Sequence, residues 1–407
     1  MDHIAEIFRR DGGPILASLI RASGSFELAE DAMQDAFIIA ADTWRRDGVP
    51  PNPAGWITTT AKHRLIDHVR RDARRGVKEA LVAAVEQIAD DPADGEDDRL
   101  RMIFCCCHPA LSLDARVALT LQTVCGMTAA QIASAFVVPE ATMAQRLVRA
   151  KRKIQSAGIR YEVPTADELD IRLGAVLASV YLVFNHGYNA MTDRRGIGSD
   201  LCAEAIRLGQ IMSLSMPREP EVAGLLALML LNDARRAARL DGDGNIVLFE
   251  DQDRSSWDRD KLTEGLALVE RAPHLGSVGQ YWLQAAITAE HVGPPSSDAR
   301  DWQRICRLYD LLVGQTRGSD VVRLNRAIAL SMTEGPDEAL ATIEPLRDRL
   351  GRYAYFHAAE ADFLARLGDA ARASAAYRTA MDLADSEAQR RSLGKALAKL
   401  SRDVESG

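Results

Sequence analysis

The residue types best suited to chemistry in this chain cluster between Thr142 and Lys153, where Thr142, Gln145, Arg146, Arg149, Lys151 and Lys153 fall within twelve positions. Arg and Gln side chains form paired hydrogen bonds with guanine and adenine edges in a DNA major groove. Lys151, Arg152 and Lys153 suit phosphate oxygens, for which charge matters more than direction. A second basic block, Lys62 to Lys78, holds seven basic side chains against Asp67 and Asp72. The chemistry these residues offer is recognition of a polyanion. From charge alone, a pair of solvated helix faces is an equally good reading.

Constellations that could carry a reaction fare worse. Cys105-Cys106-Cys107-His108 invites a metal, but neighbours on a helix point about 100° apart and cannot close one tetrahedral site. These residues read as buried thiols. Asp241, Asp243 and Asn245 imitate the start of a calcium loop, yet Ile246 stands where a glycine is needed and Gln252 where a bidentate Glu is needed. That stretch reads as a turn ahead of Ile246-Val247-Leu248-Phe249. Asn185-His186-Gly187-Tyr188 has no recognisable partner set, and no phosphate-cradling glycine loop or Ser/His/Asp arrangement is visible. The expectation is a protein without enzymatic activity, cofactor or metal.

These residues need elements to position them. The chain has 407 residues, with 47% apolar and 27% charged side chains, which excludes wholesale disorder and predicts two or three domains. Its net charge of −8 is unevenly spread. Residues 1–160 carry 21 basic and 21 acidic side chains, so the acidic surplus lies in the remainder. Glu86 to Asp98 holds seven acids and no base. Two basic patches separated by an acidic tether suggest two polyanion-binding modules. The start, Met1-Asp2-His3-Ile4, does not read as a signal peptide, and the longest apolar run, Val222 to Leu231, is too short to span a bilayer. Six irregularly spaced Cys do not form a disulfide framework. A cytoplasmic protein without membrane contact is expected.

The predicted fold is all-α. Plentiful alanine and few β-branched runs favour helix. Residues 2–23 read as a helix interrupted at Asp11-Gly12-Gly13-Pro14, followed by helices over Glu27 to Arg46 and Trp56 to Arg75. Residues 1–80 form one module, 81–100 an acidic linker and 101–160 a second module. In the latter, Ala115 to Val124 is a helix, Thr128 caps the short helix Ala129 to Phe136, and Glu140 to Ile154 is longer and basic. Met143, Leu147, Ala150 and Ile154 share one face of that last helix and form its buried stripe. A short helix, a turn and a longer basic helix make a helix-turn-helix. Residues 165–407 read as helical hairpins. Ala327, Leu330, Ala339, Ile343 and Leu346 return 34 residues later as Ala361, Leu364, Ala373, Tyr377 and Ala380. Thirty-four is the tetratricopeptide period, and small residues there let paired helices approach closely. Ile305, Tyr309 and Leu312 form a degenerate earlier copy, and Ser386 to Leu400 a closing helix.

Leu119 to Ile154 resembles the −35-reading domain of bacterial sigma factors. The matches are Gly126, Thr128, Ile132, Ala133, Thr142, Arg146, Leu147, Arg149, Ala150 and Lys151. Ala29 to Trp44 resembles the segment by which sigma factors grip core RNA polymerase, with Asp31, Gln34, Asp35 and Phe37 at matching positions. Pro53 to Arg75 resembles the adjoining −10 segment. Two such modules without a middle domain resemble the extracytoplasmic-function group, and the extension resembles a subgroup with a tetratricopeptide-like domain. The resemblance implies promoter DNA and core RNA polymerase as partners, with a protein ligand for the repeat domain. It implies −35 contacts from Thr142, Gln145, Arg146, Arg149, Lys151 and Lys153. It also implies −10 contacts from Asn52, Trp56, Lys62, Arg64, Arg70 and Arg71, with Asn52 in the loop that grips a flipped base. For Trp44 and Trp56, packing in the core is the stronger reading. The rival functions are a stand-alone helix-turn-helix regulator and a repeat scaffold.

Overall fold

The computed structural model describes residues 2–73, 95–136, 138–189, 197–242, 245–296 and 299–406. The fold is all-α, and among the described residues the sole extended pairing is an isolated antiparallel bridge between Leu240 and Ile246. The chain divides into two compact units. One comprises Met1–Ala190 with Arg195–Ser215, and the other Met191–Arg194 with Met216–Gly407.

In the first unit, α1 (Asp2–Ser23), α2 (Phe26–Asp47) and α3 (Pro53–Ala73) pack as three mutually contacting helices. The expected interruption at Asp11 to Pro14 does not occur, and α1 runs through Pro14 unbroken. Proline inside a helix removes one hydrogen bond. Tertiary packing offsets that loss, because Ile15, Leu16, Ala17, Leu19 and Ile20 are all buried immediately beyond it. Gly13 has a separate role. A Cβ there would lie 2.7 Å from the Val124 carbonyl oxygen, so only glycine lets α1 rest on that backbone.

The second module contains α4 (Gly95–Cys106), α5 (Leu113–Thr123), α6 (Ala129–Ala135) and α7 (Glu140–Ser156). The acidic run expected as linker is corrected at its end, since its last residues open α4. Asp98 is buried rather than solvated, and accepts from Arg21 Nε at 3.0 Å and Arg101 Nη1 at 3.2 Å. The earlier part of the linker lies outside the described residues. Cys105, Cys106 and Cys107 are buried as expected, with the Cys106 and Cys107 sulfurs 3.1 and 3.3 Å from the Thr123 and Thr120 hydroxyls. Burial pushes the Cys105 thiol up to about 12, so it stays protonated. Helices α8 (Ala166–Asn189) and α9 (Ile197–Ser215) form a hairpin packed on α4, and α8 also packs on α5. Arg172 Nη2 donates to the Phe104 carbonyl at 3.1 Å and Arg207 Nη2 to the Val124 carbonyl at 3.1 Å.

The second unit opens with α10 (Pro220–Asp233), whose residues Val222 to Leu231 are buried all round. It packs against α11 (Arg259–Arg271) and α12 (Gln280–Val292). Glu221 on α10 accepts from the backbone N–H groups of Gly279, Tyr281 and Trp282 at 2.9–3.1 Å. A carboxylate there satisfies orphan donors and complements the dipole of α12. Between α10 and α11 runs an irregular segment with His291 of α12 close by. Then follow α13 (Trp302–Gln315), α14 (Asp320–Leu330), α15 (Pro336–Ile343), α16 (Ala354–Arg366), α17 (Ala370–Asp382) and α18 (Glu387–Ser406). Consecutive members pack on one another. Ala327, Ala339, Ala361, Ala373 and Ala380, five of the small or apolar positions in the 34-residue pattern, have no exposed surface. Gly368, at a left-handed φ of 81°, and Asp369, which caps α17, make the turn between the last repeat's helices.

Two outcomes follow from this packing. Gly13→Ala is expected to cost about 1–3 kcal/mol through overpacking against backbone that cannot rotate away. It should appear as a lower midpoint of thermal unfolding, and an unchanged midpoint would contradict the close approach. In the second unit, burial and then the Arg300 and Arg235 charges lower His291 to about 4 from an ordinary 6.5. Between those values the unfolded chain binds a proton that the folded chain does not. Stability from this group is therefore full above pH 6.5 and is lost as pH falls towards 4, by up to about 3 kcal/mol. Denaturant titrations of the wild type and His291→Phe across that range should differ in pH slope accordingly.

Candidate nucleic-acid and polymerase interface

The geometry of α7 is set from below. Thr128 and Gln131 form a reciprocal cap that starts α6, with Gln131 N to Thr128 Oγ1 at 3.2 Å and Thr128 N to Gln131 Oε1 at 2.8 Å. Val138 N then donates to the Ala133 carbonyl at 3.0 Å, and Pro139 starts α7. Met143, Leu147, Ala150 and Ile154 are its buried residues, the four of the expected stripe. With that stripe inward, Thr142, Gln145, Arg149 and Lys153 are exposed. Together with half-buried Arg146 they line a groove of about 480 Å³ whose other wall includes Leu111 and Ser112. Arg146 Nη1 lies 3.5 Å from Asp114 Oδ2, which steadies it at the groove wall.

Lys151 does not join this face. Its Nζ lies 2.5 Å from Glu30 Oε1 on α2, with side chains 19% and 32% exposed. The two modules thus meet across a cleft of about 670 Å³. Glu27, Glu30 and Asp31 line it from α2, and Lys151 and Arg152 from α7. Opposite charges face one another, but only one pair closes to contact distance among those residues.

On α2, Asp31 and Gln34 are exposed, whereas Asp35 is partly covered and 3.0 Å from His68 Nε2 on α3. Phe37 is half-buried edge-on to Phe8, with ring centroids 5.2 Å apart. Sequence reasoning missed Ile38. It is 57% exposed, one turn beyond Gln34 on the same face. A single exposed apolar side chain is ordinary on a protein surface, so Ile38 is of interest only through its place beside Asp31 and Gln34. The signal was present as one apolar residue too many for a single helix stripe.

The −10 candidates lie along α3 and its leading loop. Asn52 is exposed, and its side-chain oxygen accepts from Gly55 N at 3.0 Å, capping α3. Trp44 is buried and Trp56 half-buried, their rings edge to face with centroids 5.5 Å apart. Packing is their role in this structure. Arg64 is partly exposed and 3.6 Å from Asp67, Lys62 is half-buried, and Arg70 and Arg71 are exposed near the end of α3.

The family model "Sigma-70 region 2" matches residues 7–75, and "Sigma-70, region 4" matches residues 101–154. A protein of Rhizobium meliloti (strain 1021) described as uncharacterised is 42% identical over 377 residues, covering 91% of this chain and 89% of the relative. The chain belongs to the sigma-70 family. It is a sigma factor of the extracytoplasmic-function type with a C-terminal extension, and its role is in transcription initiation. A family of unknown function, DUF6596, matches residues 172–273. That match begins in the α8–α9 hairpin of the first unit and ends in the second. No solved structure matches the sigma factor. Among the described residues, no helix is long and apolar enough to cross a membrane.

The Lys151–Glu30 contact generates a measurable expectation. A double-mutant cycle of Lys151→Ala and Glu30→Ala should give a coupling of about 1 kcal/mol in thermal stability, shrinking with added salt. Strict additivity of the two substitutions would mean that the modules are not held by this pair.

Proposed function

We propose that this sigma factor lends core RNA polymerase its choice of promoter through two DNA-reading surfaces and one polymerase-binding surface. In this reading α7 enters the −35 major groove. Gln145, Arg146 and Arg149 address base edges, and Thr142 and Lys153 address the flanking backbone. The exposed row on α7 carries the proposal. Base-reading side chains stand in water on a helix whose opposite face is sealed by Met143, Leu147, Ala150 and Ile154.

Region 2 supplies the rest. Asp31, Gln34, Asp35 and Phe37, joined by Ile38, form the polymerase-facing side of α2. Lys62, Arg64, Arg70 and Arg71 follow the phosphates of the −10 strand. Asn52 stands at the mouth of the loop that takes the extruded base, for which it must release its cap on Gly55. Trp56 serves by supporting that loop through Trp44 rather than by stacking on a base. No covalent step belongs to the sigma factor. Lys151 is assigned to phosphate, which requires it to leave Glu30. The modules therefore part when promoter DNA and polymerase are engaged. The C-terminal extension regulates that transition, and its hairpins present a surface for a protein ligand.

Run-off transcription with purified core polymerase is the test. Initiation from a defined start is expected, and a protein that binds its promoter as tightly without polymerase would instead be a stand-alone regulator. Replacing Arg149 or Arg146 by Ala should lower discrimination at single −35 base pairs by about 1–3 kcal/mol, while Lys153→Ala should weaken all sequences alike. Unchanged −35 preference in both arginine variants would overturn the assignment of α7.

A further inference from the structure

Three cations face the groove beside α7, and they are not equivalent. Arg149 and Lys153 stand exposed, and among the described residues neither enters an ion pair. Arg146 is half-buried and has a carboxylate beside it, with its Nη1 3.5 Å from Asp114 Oδ2. That carboxylate comes from outside the recognition helix, in the first turn of α5.

The wall that carries Asp114 is fixed by its own contacts. Arg116, two residues further along α5, turns back to the loop before the helix. Its Nε donates to the Leu111 carbonyl at 2.9 Å and its Nη2 to the Pro109 carbonyl at 3.1 Å. In the same loop Ala110 N donates to His108 Nδ1 at 3.1 Å, and Leu111 N to the His108 carbonyl at 2.9 Å. Val117, Ala118, Leu119 and Leu121 are buried, which sets the roll of α5. Across from this turn the His186 ring of α8 lies against Phe136, with centroids 4.4 Å apart. Burial holds that imidazole below its ordinary 6.5, against the pull of Asp114. His186 is therefore neutral at neutral pH, and Arg146 is the cation that Asp114 meets at contact distance.

Asp114 is more than half exposed, and an exposed ion pair adds little to stability. Its consequence is direction. A long side chain loses rotamer freedom when it binds, and one held beforehand loses less. With Nη1 beside the carboxylate, the Nε and Nη2 edge of the guanidinium stays open for paired bonds to two acceptors, such as guanine O6 and N7. Swinging to a neighbouring base pair would break the contact with Asp114.

On the assignment of α7 to the −35 major groove made above, we propose that Asp114 is a positioning residue for promoter reading. It holds Arg146 in one orientation and so fixes which base pair that arginine reads, whereas Arg149 reads without such a guide. Asp114 touches no base in this role and acts only through Arg146.

The full-length protein with purified core RNA polymerase is given a DNA pool randomised over both promoter elements, each template barcoded in its transcript. Sequencing the transcripts gives the base preference at every position. Arg146→Ala marks the position that Arg146 reads, and Arg149→Ala the position that Arg149 reads. Asp114→Asn is expected to lower preference at the Arg146 position about threefold, to leave the Arg149 position unchanged, and to add nothing in the Arg146→Ala background. Asp114→Glu keeps the charge and should retain most of the preference. A purely structural role in the first turn of α5 would instead flatten the Arg146 and Arg149 positions together. That result, an unchanged Arg146 position in Asp114→Asn, or a further loss when Asp114→Asn is added to Arg146→Ala, would overturn the positioning role and leave the assignment of α7 standing. Preferences unchanged in both arginine variants would overturn that assignment and the role of Asp114 with it.

Discussion

The structure turns on the mismatch between the two faces of α7. A helix that buries one stripe must present the opposite stripe to water, and the 3.6-residue period decides which side chains fall where. Met143, Leu147, Ala150 and Ile154 are drawn inward by apolar burial. Thr142, Gln145, Arg149 and Lys153 then have no inward option and are held in one row. Under the proposed function, side chains that read DNA gain from this because their backbone is fixed before any ligand arrives, so less freedom is lost on binding. Everything beneath α7 serves that rigidity. Thr128 and Gln131 start α6, and the α8–α9 hairpin braces α4 and α5 from the other side through Arg172 and Arg207.

Much of this was legible because it is local. The capping pair spans four residues, the buried stripe of α7 spans twelve, and the repeat in the second unit returns small or apolar residues after 34. Local propensity and periodicity carry such signals. The same reasoning misread Pro14, since it weighs a missing backbone hydrogen bond and cannot see Ile15 to Ile20 being buried beyond it. Acidic neighbours make Asp98 look like tether in sequence, whereas Arg21, 77 positions away, makes it a buried partner. Proximity in sequence groups Lys151 with Lys153, yet two positions on a helix differ by about 200°. Apolarity alone does not place Ile38 outward, because that depends on the buried face of α2 being already filled by Ala29, Ala32, Met33, Ala36 and Ala40. The pair of arginines over Phe249 has no local signature at all. Arg235 and Arg300 are 65 positions apart, and the fold alone brings them to one ring.

The join between the sigma modules has a different character from their interiors. Gly13 against Val124 is close backbone packing, and Arg21 with Asp98 is a sheltered charge pair. Further along, the facing surfaces of α2 and α7 diverge around a cleft, bridged by Lys151 and Glu30. One end of the join is close-packed and sheltered, and the other is open. An interface built that way opens most readily from its open end, because water can replace a part-exposed charge pair at little cost, whereas opening the other end would break up the sheltered Arg21–Asp98 pair and the close Gly13–Val124 packing.

This asymmetry links the closed arrangement to promoter choice under the proposed function. Lys151 cannot serve Glu30 and a DNA phosphate at once, so DNA that uses Lys151 must first compete with an intramolecular carboxylate. Such competition taxes every DNA sequence equally. Only a site that also engages Gln145 and Arg149 recovers more than the tax, since base contacts are added to the uniform phosphate term. Holding one phosphate-binding cation in an internal pair therefore reduces unspecific association more than it reduces specific association in relative occupancy. Glu30, which provides this restraint, is adjacent in the chain to Asp31 of the surface assigned to polymerase. Engagement of α2 by polymerase would draw on the same carboxylates, and so would lower the cost of freeing Lys151. Polymerase binding and DNA binding are then coupled through a single charge pair, with each favouring the other because each removes one side of the same contact.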